Sequence, residues 1–101
     1  MGIRVVARLF VVRDTVVIGS NGLVEMLEAI ERHGSLRGAA EELGLNYRRL
    51  WARLVRAEQL AGGRLVERGR GRGRARLTEL GRMIVEEYRR MEDVIRGCGG
   101  G

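Results

Sequence analysis

A chain of 101 residues is long enough for one compact domain with a core and too short for two. Its 45% hydrophobic and 32% charged residues exclude a disordered polymer, and nineteen basic side chains against thirteen acids leave a formal net charge of +6, which points to a polyanionic partner. All nineteen are arginine. The planar guanidinium fork suits phosphates and guanine edges, although genome composition accounts for the lack of lysine equally well. A single cysteine, Cys98, excludes an intramolecular disulfide. The apolar stretch VVIGSNGLV is interrupted by Gly19, Ser20, Asn21 and Gly22, and nothing resembles a signal peptide, so the expectation is a cytoplasmic protein with no membrane partner.

In chain order, residues 3–18 are rich in β-branched side chains and break at Arg13, Asp14 and Thr15, which predicts a β-hairpin. Val5, Val6, Leu9, Phe10, Val11 and Val12 place apolar groups on both faces, so a second cover is expected, and another subunit is the natural one. Ser20 or Asn21 caps a first helix over 21–33, in which Leu23, Met26, Leu27 and Ile30 recur at helical steps before Gly34. Ser35 caps a second helix over 35–43 that stops at Gly44, and Asn46 caps a third over 46–61 that stops at Gly62 and Gly63. His33 is expected to complete the C-terminal turn of the first helix.

Residues 64–77 have strand-like ends around a glycine-arginine middle and predict a second hairpin with a long tip. From Thr78 a helix over 78–96 carries Leu80, Ile84, Tyr88, Met91 and Ile95 as a narrow stripe, close to a coiled-coil seam, and 97–101 reads as a flexible glycine-rich tail. Residues 1–96 thus form one domain that is mainly α with small β elements, an α+β winged helix-turn-helix with an N-terminal hairpin and a long last helix.

The spacing within SLRGAAEELGLNYRRLWARL carries the helix-turn-helix reading. Ala40 is small where two helices cross, Gly44 lies where the chain must turn sharply, and Leu50 and Leu54 give the next helix one apolar face. On a helical wheel Leu50, Leu54 and Ala57 face the core, with Tyr47 on one shoulder, while Arg48, Arg49, Ala52, Arg53 and Arg56 point outward or along the flank. No acid falls between Leu43 and Ala57 to pair with these arginines, which argues against an ordinary solvated face.

Asn46, Tyr47, Arg48 and Arg49 stand at the helix end that enters a major groove first and are the candidate base readers. Ala52 permits close approach, and Arg53 and Arg56 reach phosphates or bases. Trp51 lies on a shoulder, either packing beneath the wing or first helix or touching the sugar-phosphate backbone. Between Arg64 and Arg76, six arginines against Glu67 give a local charge of +5. Arg68, Arg70, Arg72 and Arg74 are candidate wing contacts to phosphates or a minor groove, with Ser35 and Arg37 contributing from the second helix.

Only one histidine, His33, and one cysteine are present, so neither a nucleophile-base pair nor a metal-ligand cluster can be assembled, and neither catalysis nor a cofactor is expected. Two other readings stay open: an architectural protein that binds DNA or RNA by charge alone, and a winged-helix module that contacts another polypeptide.

The stretch GLVEMLEAIERHGSLRGAAEELGLNYRRLWARL followed by LVERGRGRGRARLTELG resembles the winged helix-turn-helix of LysR-type regulators, and more closely that of the molybdate-responsive ModE regulators. Pointing to the latter are the strand pair before the first helix, NYRRLW in place of a Ser-Gln-Pro type segment, and the glycine-arginine insertion before ARLTELG; the similarity runs from Ile3 to about Met91. The resemblance implies a sequence-specific double-stranded DNA-binding transcription regulator. It implies a homodimer held by the N-terminal strands and last helix, with Asn46 to Arg49 at recognition positions and Arg68 to Arg74 at the wing. The dimer contacts expected are Leu9, Val11, Leu80, Ile84, Tyr88, Met91 and Ile95. ModE proteins carry a C-terminal oxyanion-binding region that these residues lack, so no small-molecule effector is expected here.

Overall fold

The computed structural model describes residues 2–70 and 74–99. Strands β1 (Val11–Arg13) and β2 (Val16–Gly19) pair antiparallel around Asp14, whose φ of 53° gives the tight reversal. The register slips between Val11 and Val12, so Val12 faces Val17 while Val11 faces Gly19. The hairpin is therefore shorter than the 3–18 span predicted from sequence. Residues 3–10 belong to no regular element, and Ile3 and Val5 are 89% and 98% exposed. The cause is geometric: β2 has four residues and runs into a helix at Asn21, leaving no strand among the described residues for those before Val11 to pair with.

Helix α1 (Asn21–His33) buries Leu23, Val24, Met26, Leu27, Ala29 and Ile30. Helix α2 (Leu36–Leu43) buries Leu36, Ala39 and Ala40, and α3 (Tyr47–Ala61) buries Leu50, Leu54 and Ala57. Gly34, Gly44 and Gly62 end these helices at φ values of 64°, 67° and 73°, a region open to glycine without strain. His33 completes the last turn of α1, Gly34 follows as its left-handed cap, and the His33 ring Nε2 lies 2.9 Å from Glu42 Oε1.

Beyond α3, β3 (Val66–Arg68) and β4 (Ala75–Leu77) form an antiparallel hairpin with Val66 opposite Leu77. Its β4 edge joins the turn before α2, where Arg74 bridges to Ser35 and the Ala75 N–H donates to the Gly34 carbonyl at 2.9 Å. Helix α4 spans Glu79–Gly99, starting after Thr78, whose Oγ1 accepts from the Gly81 N–H at 3.1 Å and donates to the Arg64 carbonyl at 2.7 Å. The helix runs three residues past the end predicted at Arg96, into the segment read as a tail. Gly97 keeps a helical backbone rather than the positive φ that stops the other helices. Among the described residues no helix is long and apolar enough to cross a membrane.

The core gathers residues from every helix and from the second hairpin: Leu27, Ile30, Leu36, Leu50, Leu54 and Leu65 are sealed, and Leu77, Ile84 and Tyr88 close it from the C-terminal side. Carboxylates hold the hairpin in place. Glu58 Oε2 on α3 accepts from the Leu65 and Val66 amides at 2.8 and 3.3 Å, and Glu31 Oε2 on α1 accepts from the Leu77 amide at 3.1 Å. Arg89 ties α4 to α1 through both oxygens of Glu28, with Nε to Oε2 at 3.0 Å, and also bonds Glu92 at 2.6 Å.

Gly81 lies against the Leu65 backbone, and a Cβ there would overlap the Leu65 carbonyl. Gly81→Ala should therefore cost about 1–3 kcal/mol in urea unfolding. Gly22→Ala, where a Cβ meets nothing within 4 Å, should be neutral or stabilising by up to about 1 kcal/mol.

Hydrogen bonding to Arg89 holds the Glu28 carboxyl below its ordinary range, against the raising effect of burial. A depressed folded-state value means the pair stabilises fully above the ordinary carboxylate range and is lost as pH falls through the lowered folded value. Denaturation measured between about pH 7 and about pH 3 should show Arg89→Met losing this part of the acid dependence.

Candidate nucleic-acid interface

The turn at Gly44 and Leu45 sets α3 across α2, with the Leu45 N–H donating to the Ala40 carbonyl at 2.9 Å. Asn46 starts α3 from an extended backbone, and its Oδ1 accepts from the Arg49 N–H at 2.9 Å. Burial of Leu50, Leu54 and Ala57 then fixes which side of the helix meets water. Asn46, Tyr47, Arg48, Arg49, Ala52, Arg53 and Arg56 are all exposed. None of the four arginines enters an ion pair among the described residues. The first acid on α3, Glu58, is engaged with the β3 backbone.

Ser35 and Arg37 extend this surface at the start of α2. The Ser35 hydroxyl accepts from the Gly38 N–H at 3.0 Å, so its oxygen serves the helix, while Arg37 is exposed with its guanidinium 6.0 Å from the Tyr47 ring centroid. On the other flank, the Arg68 guanidinium stands 4.0 Å over the ring of Trp51, which is 37% exposed. Trp51 therefore packs beneath the wing, the first of the two placements left open by the sequence. Arg70 and Arg74 are exposed, Arg74 being held at the wing base by its bridge to Ser35. Arg72 lies outside the described residues.

Several carboxylates elsewhere are paired. Glu42 is bonded by Arg32 and by His33, which hold it below the usual carboxylate range in that order, and Arg90 does the same to Glu87. Arg37, Arg48, Arg49, Arg53, Arg56, Arg70 and Arg74 thus share the α2–α3–wing face, and none of them is in an ion pair among the described residues. Among the described residues no group of three or more His, Cys, Asp or Glu is placed to hold a metal.

The residues read from sequence as dimer contacts divide in two. Ile84 and Tyr88 are 7% and 8% exposed because they close the chain's own core, and Leu9, Val11 and Leu80 are half-buried against it. Met91 and Ile95 are exposed, along with Phe10 and Val12, which the sequence places among the residues in need of a second cover, and Met83 and Val94, which the stripe does not include. Leu9, Phe10, Leu80, Met83 and Met91 line one apolar groove of about 300 Å³ between the first hairpin and α4, and Ile84 and Tyr88 also line it. Met83 and Val94 lie beside the stripe and were legible only once Ile84 and Tyr88 were known to turn inward. Glu31 and Glu58, which position the wing, carried no local signal at all.

Three helices with a glycine turn between the second and third, and a β-hairpin folded beside the third, make this a winged helix-turn-helix protein. Residues 22–82 match the family described as bacterial regulatory helix-turn-helix protein, lysR family, and the chain belongs to that family. It is 38% identical over 92 residues to the molybdenum transport protein ModE of Azotobacter vinelandii, covering 88% of this chain and 34% of that protein. It is 37% identical over 75 residues to the molybdenum-pterin-binding protein MopA of Rhodobacter capsulatus, covering 71% and 28%. The chain thus spans about a third of the length of these relatives. The CbnR DNA-binding domain, solved in complex with DNA, superposes with a TM-score of 0.61 at 22% identity, covering 78% of this chain and 88% of that one.

The cap at Asn46 can be tested on its own. Asn46→Ala should lower stability by about 1 kcal/mol in thermal unfolding, whereas Asn46→Asp, which keeps the accepting oxygen, should stay within a few tenths.

Proposed function

We propose that the protein is a sequence-specific double-stranded DNA-binding transcription regulator that acts as a homodimer. The observation that carries this is the set of four exposed, unpaired arginines on α3 beside an arginine-bearing wing. Family membership and the likeness to a fold solved on DNA support it. In this reading α3 enters the major groove N-terminus first. Arg48 and Arg49 read base edges, Arg53 and Arg56 reach further along the groove, and Arg37, Arg70 and Arg74 contact phosphates or the adjacent minor groove. Asn46 offers the groove its Nδ2 donors while Oδ1 serves the cap.

The dimer face in this reading is the apolar groove between the first hairpin and α4, extended by Val94 and Ile95 and by residues 3–10. Apolar groups left in water on one face of a small protein favour a second copy. Met83, Met91, Val94 and Ile95 are the α4 contacts proposed, with Leu9, Val11 and Leu80 at the edge of the interface.

Selection of bound duplexes from a random pool at moderate salt tests the whole reading. Enrichment of a palindrome with half-sites about 34 Å apart is the expected result. Binding without enrichment would mean an architectural protein, and no binding would leave a polypeptide partner. On the enriched site Arg49→Ala should cost about 1–3 kcal/mol and relax preference at one base pair. Arg70→Ala should weaken all sequences alike and flatten the salt slope by about one unit.

A further inference from the structure

Trp51 is the single tryptophan of the chain, and it sits on the flank of α3 that faces the wing rather than on the face turned to the groove. Seven residues further along the same flank, Glu58 accepts the Leu65 and Val66 amides. Seven residues are about two helical turns, or roughly 10 Å of α3. The wing is therefore fastened to the recognition helix at two points. One, at Glu58, holds the root of β3. The other, where Arg68 lies over the indole at 4.0 Å, holds the last residue of β3, immediately before the tip.

One fastening would let the hairpin tilt about Glu58. Two set its angle. Just beyond the second, the Gly69 N–H donates to the Arg74 carbonyl at 2.9 Å and closes the hairpin, so the angle fixed at Trp51 passes directly to the segment that carries Arg70. The Arg68 guanidinium, centred 4.0 Å over the ring, is held by the indole, which sets it apart from the other wing arginines.

We propose that the Trp51–Arg68 stack is a positioning strut that couples the recognition helix to the wing, so that base reading by α3 and flank contact by the wing are gained or lost together. The proposal rests on the DNA-binding reading above. In it Arg68 acts through Trp51 and not as a phosphate contact, which separates it from Arg70 and Arg74. A guanidinium suits this role and an ammonium does not, since only the planar group lies flat on an indole.

Two measurements on the whole chain test it. In the free protein, the emission of Trp51 should change in Arg68→Ala and stay unchanged in Arg70→Ala; identical spectra for wild type and Arg68→Ala would overturn the strut. Binding is then measured on a labelled duplex of about three helical turns carrying the enriched site, and on a random duplex of the same length. Trp51→Ala and Arg68→Ala should each weaken specific binding about 3- to 10-fold, and the double variant should lose no more than the worse single. Arg68→Lys, which keeps the charge, should behave as Arg68→Ala, while Trp51→Phe should recover most of the loss. Multiplying losses in the double variant, or wild-type binding by Arg68→Lys, would overturn the coupling alone. A wild type that binds neither duplex would overturn both readings. Arg68 is exposed, so its variants decide the matter even if Trp51→Ala fails to fold.

Discussion

The carboxylates of Glu58 and Glu31 accept backbone N–H groups from the two strands of the wing, and the remainder of the molecule is arranged around that fact. A three-residue strand pair has too few ladder bonds to stand by itself, and hydrogen bonds to a charged acceptor are worth about 1.5–3 kcal/mol each. With one acceptor on α3 and the other on α1, the hairpin cannot dock until both helices are in register. Leu65, Val66 and Leu77 then fall into the core, and α4 can approach closely enough to lie with Gly81 against the Leu65 carbonyl. Removing either acid would leave amides at the core edge without partners, so two exposed-looking glutamates carry architecture rather than solubility.

Charge is divided by the same arrangement. Glu28, Glu42, Glu87 and Glu92 are taken up by Arg89, Arg32, His33 and Arg90, and Glu31 by a wing amide, and so do not neutralise the arginines of α3. Because exposed like charges at neighbouring positions repel, such a face costs stability in the free protein and is relieved when an anion arrives. This is the physical content of the nucleic-acid reading. In that reading the helix is presented end-first, with a second basic element beside it.

Much of this was legible locally. Ser35 and Asn46 are caps in the structure as their types and positions suggest, and Gly34, Gly44 and Gly62 stop helices where only a positive φ will do. The inward face of α3 followed from spacing alone. What failed did so for lack of nonlocal information. β propensity overextends the first hairpin because it says nothing about whether a pairing strand exists, and residues 3–10 have none among the described residues. Ile84 and Tyr88 share a stripe with Met91 and Ile95, yet the first two are covered by the chain's own core and the latter are not. Periodicity cannot tell an intramolecular cover from an intermolecular one. The helical state of Gly97 also runs against propensity, since its φ is not positive as it is at Gly34, Gly44 and Gly62.

The bond from Glu31 to the Leu77 amide joins residues 46 apart, and that from Glu28 to Arg89 joins residues 61 apart. During synthesis, α1, α2 and α3 emerge with their caps and turns complete but with one apolar side still open, since Leu65, Leu77, Ile84 and Tyr88 have yet to leave the ribosome. At roughly 5–20 residues per second, that side stays uncovered for a few seconds. The apolar side of the helix trio is thus closed by residues that are made last.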